Sequence, residues 1–487
     1  MKRAAFANLT MLALAGCSFE PAYRRPQASV PVSWPVGDAY LRQSEAALPA
    51  VSYRDIFRDP NLVTIIDQAL ANNQDLRLAL ANVQAARAQA KIVRADLFPG
   101  INAGAGYTES KSSGATSASF AAGARRTNYS ADIGISGWEI DLFGRLRSLS
   151  NASFNQYLGT EAAVRGTRLT LVAEVANAYL TLASDRSLLA ISRDTQKAAS
   201  RSVELTGALL KGGVAPRSDL RQAETILSQA QADQASLETA VAQDRNALEL
   251  LVGMPIGEAQ LPTSIESIDG LLAEMPPGLE SSILLRRPDV VEAEYQLRAA
   301  NARIGAARAA FFPRISLTTA VGFASSALSS LFDDNAFNWS VAPSASLPIF
   351  AGGANIGNLR LTQAQRDAAV ASYRKSVQTA FREVSDALAR RGTIDRQFAA
   401  TARLEAAASD TLGLATARYR EGVDAYLTTL DAQRTAYSAR RSLATARLIK
   451  AQNLVELYRS LGGDQLVDML PPPKPGKDAK AADAIKP

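Results

Sequence analysis

Apolar residues along the long central stretches recur at alternating spacings of three and four. Leu169, Val172, Ala176, Tyr179 and Ala183 form one such row, and Val377, Phe381, Val384 and Leu388 form another. This is the signature of a coiled-coil or helix-bundle face. The helices it predicts are long, covering 144–211 and 357–420, each roughly 95 to 100 Å at about 1.5 Å per residue. Shorter partners, each read as continuous, cover 61–98 and 216–252, so two short helices stacked end to end would run beside one long helix. Their Ala-rich faces allow close approach and suit a curved wall better than a bulky Leu core.

Between the helices the period changes to two. After Phe98-Pro99, where proline ends a helix, Ile101, Ala103, Ala105 and Tyr107 alternate with Asn102, Gly104, Gly106 and Thr108. A return strand sets Tyr129, Ala131, Ile133 and Ile135 against Ser130, Asp132, Gly134 and Ser136. After Phe312-Pro313, Ile315, Leu317, Val321 and Phe323 alternate with Ser316, Thr318, Ala320 and Gly322, and Phe337, Trp339, Val341, Ala345 and Leu347 follow against Asn338, Ser340, Ser344 and Ser346. One apolar and one small polar face fit either a soluble sandwich or strands that cross a bilayer at a tilt. A membrane barrel needs at least about eight strands, and an open four-stranded sheet would leave unpaired edges in lipid. If these strands span, the barrel is shared between chains.

The chain also repeats itself. Arg94-Ala95-Asp96-Leu97-Phe98-Pro99-Gly100-Ile101 returns as Arg308-Ala309-Ala310-Phe311-Phe312-Pro313-Arg314-Ile315, and Glu174, Val175, Ala178, Gly213-Val214 and Gly253 return as Glu383, Val384, Ala387, Gly422-Val423 and Gly462. Two tandem copies therefore account for nearly everything from Asn61 to Gly463. The expected organisation is a signal segment over 1–16, an extended N-terminal segment over 17–60, helix-strand-helix copies over 61–270 and 271–463, and a disordered tail over 464–487.

Composition then removes whole classes. With no histidine and one cysteine in 487 residues, the chain alone cannot assemble a zinc cage or a Ser-His-Asp or Cys-His centre. Neither an enzyme nor a metal or other cofactor is expected. The net charge of +6 comes largely from the termini: Lys2 and Arg3 at one end, and four Lys against two Asp after Leu470 at the other. With no basic stripe in the body, nucleic acid is not an expected partner. Lys2 and Arg3 precede an apolar run that ends in Leu14-Ala15-Gly16-Cys17, which resembles a bacterial lipobox. That resemblance implies cleavage before Cys17, a diacylglycerol and an N-acyl chain on Cys17, and, with Ser18 next, sorting to the outer membrane.

The run Leu284-Leu285-Arg286-Arg287-Pro288-Asp289-Val290, continuing through Ala293-Glu294, Ala299-Ala300-Asn301-Ala302 and Ile304-Gly305 to Phe311-Phe312-Pro313, resembles the hallmark of the outer membrane efflux protein family, the TolC-type channels, and most closely its lipoprotein branch serving resistance-nodulation-division pumps. Locally, Pro288 suits a helix start and Asp289 complements the helix dipole. The resemblance covers the mature chain and implies a mixed α and β membrane protein. Its homotrimer would share a 12-stranded β-barrel and a long α-helical coiled-coil tunnel, with Ser18 to about Pro60 wrapping the helical body. It implies outer membrane lipid, a periplasmic adaptor and an inner-membrane pump as partners, and export of small molecules such as drugs or metal ions.

The turns at Lys211–Pro216 and Arg420–Asp424 would close the periplasmic end. There the resemblance implies Leu427 and Asp431 at an inward constriction, and Tyr419, Arg418 and Asp219 among the polar groups that hold neighbouring hairpins together. Some members carry a second carboxylate where this chain has Thr428. A channel for one-step protein secretion and a periplasmic coiled-coil adaptor lipoprotein are the alternative readings. The adaptor would show a single hairpin between β-rich halves in place of a tandem repeat.

Overall fold

The computed structural model describes residues 18–27, 30–31, 33–35, 52–111, 125–268 and 281–463. Cys17, the signal segment and the tail over 464–487 lie outside the described residues. The elements are α1 (Tyr53–Ile56), α2 (Pro60–Asn72), α3 (Gln74–Ala95), β1 (Ile101–Lys111), β2 (Arg125–Ile140), α4 (Arg145–Lys211), α5 (Arg217–Val252), α6 (Pro288–Ala309), β3 (Arg314–Ser325), β4 (Phe337–Ser346), α7 (Ala354–Arg420) and α8 (Tyr426–Ser460). Among the described residues no helix is long and apolar enough to cross a membrane. Two compact units emerge, and each draws on both sequence copies: one holds 1–27, 82–161 and 292–374, the other 28–81, 162–291 and 375–487.

The first unit contains an antiparallel sheet in the order β1-β2-β3-β4. Its register keeps the expected apolar set together: Ile101 faces Ile135, Ala103 faces Ile133, Ile133 faces Val321, and Val321 faces Trp339. On the opposite face the Ser316 and Ser344 hydroxyls are 2.7 Å apart. Both edge strands, β1 and β4, are exposed along their whole length. β2 runs four residues beyond the alternation read from sequence, through a register shift between Ile135 and Trp138 where Gly137 takes a φ of +64°. The bulge returns Trp138 and Ile140 to the apolar face opposite Leu317 and Ile315, and such an extra residue breaks a strict period of two.

The same unit contains the N-terminal strap, extended antiparallel along α6. Glu294, Arg298, Asn301, Gly305, Arg308 and Phe312 step by four and three, which places them on one helical face. Each meets the strap. Arg25 pairs with Glu294 at 2.7 Å, and the Tyr23 hydroxyl donates to Glu294 at 3.2 Å beneath the Arg298 guanidinium. Asn301 donates to the Pro21 carbonyl at 2.7 Å. A Cβ on Gly305 would come within 2.8 Å of the Glu20 Cα, so only glycine lets the strap lie this close. Arg308 donates to the Phe19 carbonyl at 3.4 Å, and the Phe19 ring stacks on Phe312 at 4.5 Å. Burial disfavours the charged Glu294, but hydrogen bonds from Arg298 and Arg25 outweigh it and hold the carboxyl below its ordinary range. Burial and the Glu294 charge push the Tyr23 phenol up to about 12.

In the second unit the 61–98 segment is two helices, not one. Asn73 breaks it: its amide donates to the Leu251 carbonyl at 2.9 Å and its side-chain oxygen accepts from the Leu76 N–H at 2.9 Å, capping α3. Asp59 caps α2 through the Asn61 and Leu62 N–H groups and accepts from the buried Tyr179 hydroxyl at 2.9 Å. Around this point Ile56, Phe57, Leu62, Ile65 and Ile66 pack with Val172, Ala176, Tyr179 and Ala183 of α4 and with Leu248 and Val252 of α5, so the row read from sequence is indeed a core face. α7 begins at Ala354, ahead of the expected Gly357, because the turn is made by Gly352 and Gly353, both at positive φ. Asp289 does more than complement a dipole. It holds the buried Arg287 through two bonds of 3.0 and 2.8 Å, while Arg287 also reaches Glu383 at 2.9 Å and the Ser460 carbonyl at 2.6 Å. The hallmark arginine thereby ties the start of α6 to α7 and to the end of α8.

Candidate functional site at the hairpin tips

The second unit carries two helical hairpins, α4–α5 and α7–α8, whose turns are built identically. In the first, the Gly213 and Val214 N–H groups donate back to the Leu210 and Leu209 carbonyls, each at 3.0 Å. In the second, Gly422 and Val423 donate to Tyr419 and Arg418, each at 2.9 Å. This double bond closes a helix through a left-handed residue, and Gly213 and Gly422 sit there at φ +75° and +72°. The valine after each glycine is exposed, so both tips end in an uncovered apolar side chain.

The residues singled out by resemblance occupy distinct positions around these tips. Arg418 chelates Asp424 through bonds of 2.6 and 2.9 Å, clamping the end of α7 to the turn of its own hairpin. The bond from Arg418 holds the Asp424 carboxyl below its ordinary range. The Tyr419 ring lies against Tyr426 with centres 4.6 Å apart, beside a small cluster of Ala223, Tyr426 and Leu430. Asp219, in the first turn of α5, accepts from the Ser218 hydroxyl at 3.2 Å. Within one chain, therefore, Tyr419 and Asp219 have separate partners. Leu427 and Asp431 are one turn apart on the exposed face of α8, opposite its buried row of Tyr426, Leu430, Gln433 and Tyr437. Arg434 lies on the same exposed face and pairs with Asp431 at 2.7 Å.

One connection between the hairpins escaped the sequence reading. Asp233 of α5 accepts the Tyr437 hydroxyl at 2.6 Å and the Arg441 guanidinium at 2.8 Å, both from α8, and its other oxygen accepts from Gln229 at 3.0 Å. The Asp233 side chain is only 15% exposed. Burial, reinforced by the bond to Asp233, pushes the Tyr437 phenol well above its ordinary range. Tyr437 and Arg441 stand four apart, so they share a helical face; that spacing was the available signal. Farther from the tip on the first hairpin, the carboxyls of Asp185 of α4 and Asp244 of α5 influence each other. Burial and then the Asp185 charge push Asp244 up to about 6.

Residues 65–254 and 279–463 match the sequence pattern of the outer membrane efflux protein family. The solvent efflux pump outer membrane protein SrpC of Pseudomonas putida is 42% identical over 469 residues, which cover 95% of this chain and 98% of that protein. The fold is similar to the crystal structure of a membrane protein from Pseudomonas aeruginosa, with a TM-score of 0.85 at 40% identity over 92% of this chain and all of the other. It is also similar to the open state of the MtrE outer membrane channel of Neisseria gonorrhoeae, with a TM-score of 0.83 at 34% identity over 92% of this chain and 99% of that one. The hallmark over 284–313, the amphipathic strands and the paired hairpins thus find their common explanation: the chain belongs to the outer membrane efflux protein family.

Proposed function

We propose that the protein is the outer membrane duct of a tripartite efflux system, a homotrimer whose chains each contribute four strands to a 12-stranded barrel and two hairpins to a periplasmic tunnel. The observation that carries this reading is the sheet: an apolar face runs across all four strands, and the outer edges of β1 and β4 have no strand partner among the described residues. Such a sheet can enter lipid only by joining its edges to those of other chains. The polar face, lined by Ser316, Ser344 and the adjacent glycines, then faces water. Transport is passive. A periplasmic adaptor docks on the exposed valines of the tips, an inner-membrane pump supplies the energy, and small molecules such as drugs or metal ions are the cargo.

At the tips, three-fold symmetry turns Leu427 into an apolar plug and Asp431 into a ring of three carboxylates, each partly neutralised by Arg434. The closed state is held by Arg418–Asp424 within each hairpin and by Asp233 with Tyr437 and Arg441 between hairpins, while Tyr419 and Asp219 face the neighbouring chains. Lipid on Cys17 anchors the N-terminus in the same membrane. The test is purification in detergent followed by planar bilayers and cell complementation. A particle of three chains that conducts ions, and restores drug resistance to a strain lacking its outer membrane component, is expected. A particle of one chain, or complementation of protein secretion in place of drug export, would reject the reading. Intact mass should show acylated Cys17, and Cys17→Ser should lose the modification while the barrel still inserts.

A further inference from the structure

The polar face of the sheet is lined almost wholly by neutral side chains, and most of its charges lie at the strand ends. Arg126 stands toward one end, and Arg314 and Glu139 toward the other, where Arg145 chelates Glu139 through bonds of 2.8 and 2.7 Å. Asp132, midway along β2, is the exception. Register places it in one row with Gly104, Gly322 and Asn338 of the other three strands. Glycine on both sides leaves it uncovered. A Cβ on Gly104 would lie 3.8 and 3.9 Å from the two carboxylate oxygens, and one on Gly322 would come within 2.6 Å of the Asp132 Cα. The carboxylate therefore leans over bare backbone, is exposed, and has no hydrogen-bond or ion-pair partner among the described residues. Aspartate is disfavoured in strands, so neither packing nor propensity accounts for it.

We propose that Asp132 is a selectivity residue within the barrel itself, apart from the tips: three copies form a ring of carboxylates partway down the lumen, which draws cationic solutes in and holds anionic ones back. The ring rests on the trimer reading, with the polar face toward water. A lumen walled by 12 strands is wider than the interior of an eight-stranded barrel, which side chains fill. The ring therefore acts through its field and forms no plug. Low-dielectric walls lined by one sign of charge raise the local concentration of the opposite sign. Neighbouring charges do not cancel it. Arg126 stands about 20 Å away along the same strand, twice the screening length of about 10 Å at 0.1 M salt, and Glu139 is already paired with Arg145.

The test places a thiol beside the carboxylate. Gly104→Cys sets its Cβ in ordinary contact with Asp132, and the unaltered chain, whose single cysteine is Cys17, is the control. Outer membranes carrying the variant are treated with cationic and anionic methanethiosulfonate reagents of equal size, each rate being divided by that with free 2-mercaptoethanol. At 0.1 M salt the cationic reagent should react about fivefold faster, a preference that falls below about twofold at 1 M. Adding Asp132→Asn should bring the ratio to about one, and Asp132→Lys should invert it, a change of sign that a merely structural aspartate would not give. In planar bilayers, Asp132→Asn should lower the cation preference of a channel that already carries Asp431→Ala, which separates the ring from the tips. A ratio unchanged by Asp132→Asn, or selectivity unmoved in the Asp431→Ala background, overturns the inference while the water-lined barrel stands. A thiol at position 104 that neither reagent reaches would instead overturn the barrel reading beneath it.

Discussion

Removing a single oxygen from Tyr437 should loosen the closed tips without disturbing their packing. Tyr437→Phe keeps the ring under Arg441 and deletes only the 2.6 Å bond to Asp233. Hydrogen bonds to charged groups contribute about 1.5 to 3 kcal/mol. Arg441 remains at 2.8 Å to neutralise Asp233, so no buried charge is orphaned and the lower end applies, about 1.5 kcal/mol per chain. If the three chains of the proposed trimer open together, the loss is about 4.5 kcal/mol, on the order of a thousandfold in the closed-to-open ratio. Asp233→Asn, which also weakens the Arg441 bond, should shift it further. The assay is single-channel conductance in planar bilayers, paired with sensitivity of cells to a large hydrophilic antibiotic that the closed channel excludes. Both should rise, with far-UV melting of the trimer unchanged. Tyr419→Phe with Asp219→Ala, at the positions implied by family resemblance, makes the comparison. Conductance that rises in that variant and stays at wild-type level in Tyr437→Phe and Asp233→Asn would refute the Asp233 latch.

Ion selectivity should respond in opposite directions to the two members of one pair: Arg434→Ala should strengthen cation preference in reversal-potential measurements, and Asp431→Ala should weaken it, with trimer mass unchanged in both. The Asp185–Asp244 pair should make stability fall as pH rises. A carboxyl raised in the folded state stabilises it below the unfolded value of about 4, and that contribution is lost through about 6. Asp244→Asn should therefore raise the melting temperature at pH 7.5 and flatten its dependence between about pH 4 and 6. Ile133→Arg, on the apolar face, should cost about 2 to 4 kcal/mol near the bilayer midplane and reduce the yield of inserted trimer, whereas Ser316→Arg should insert normally. Gly305→Ala should displace the strap at a cost of about 1 to 3 kcal/mol, seen as new tryptic cleavage after Arg24.

Periodicity made most of the architecture legible, because a face buried along a whole element leaves a regular trace. The row from Val172 to Ala183 and the alternation from Ile101 to Tyr107 both appear in the structure as read. Interruptions of a period were not legible. Ser136 and Gly137 look like the end of a strand, since a bulge inverts the phase of everything after it, and Asn73 hides its cap because a helical asparagine and a capping one are spelled alike. Long-range polar partners were hidden for another reason. Any of several carboxylates on α5 could have met Tyr437 and Arg441, and only the packing of α5 on α8 selects Asp233. Family resemblance singled out Asp431 but said nothing of Arg434, the side chain that pairs with it.

The strap on α6 also sets an order in time. Pro21 and Asn301 are 280 residues apart in sequence, and closing so long a loop in an unstructured chain costs about 5 kcal/mol, more than any one bond of the strap returns. Docking must therefore await a helix already held in place by its own neighbours. During export the N-terminus emerges first, while the surface it will occupy has yet to cross the inner membrane. If Cys17 is acylated as proposed, that interval leaves time for the modification before the strap docks. The contact that buries the strap is thus among the last to form, after the helix that receives it is in place.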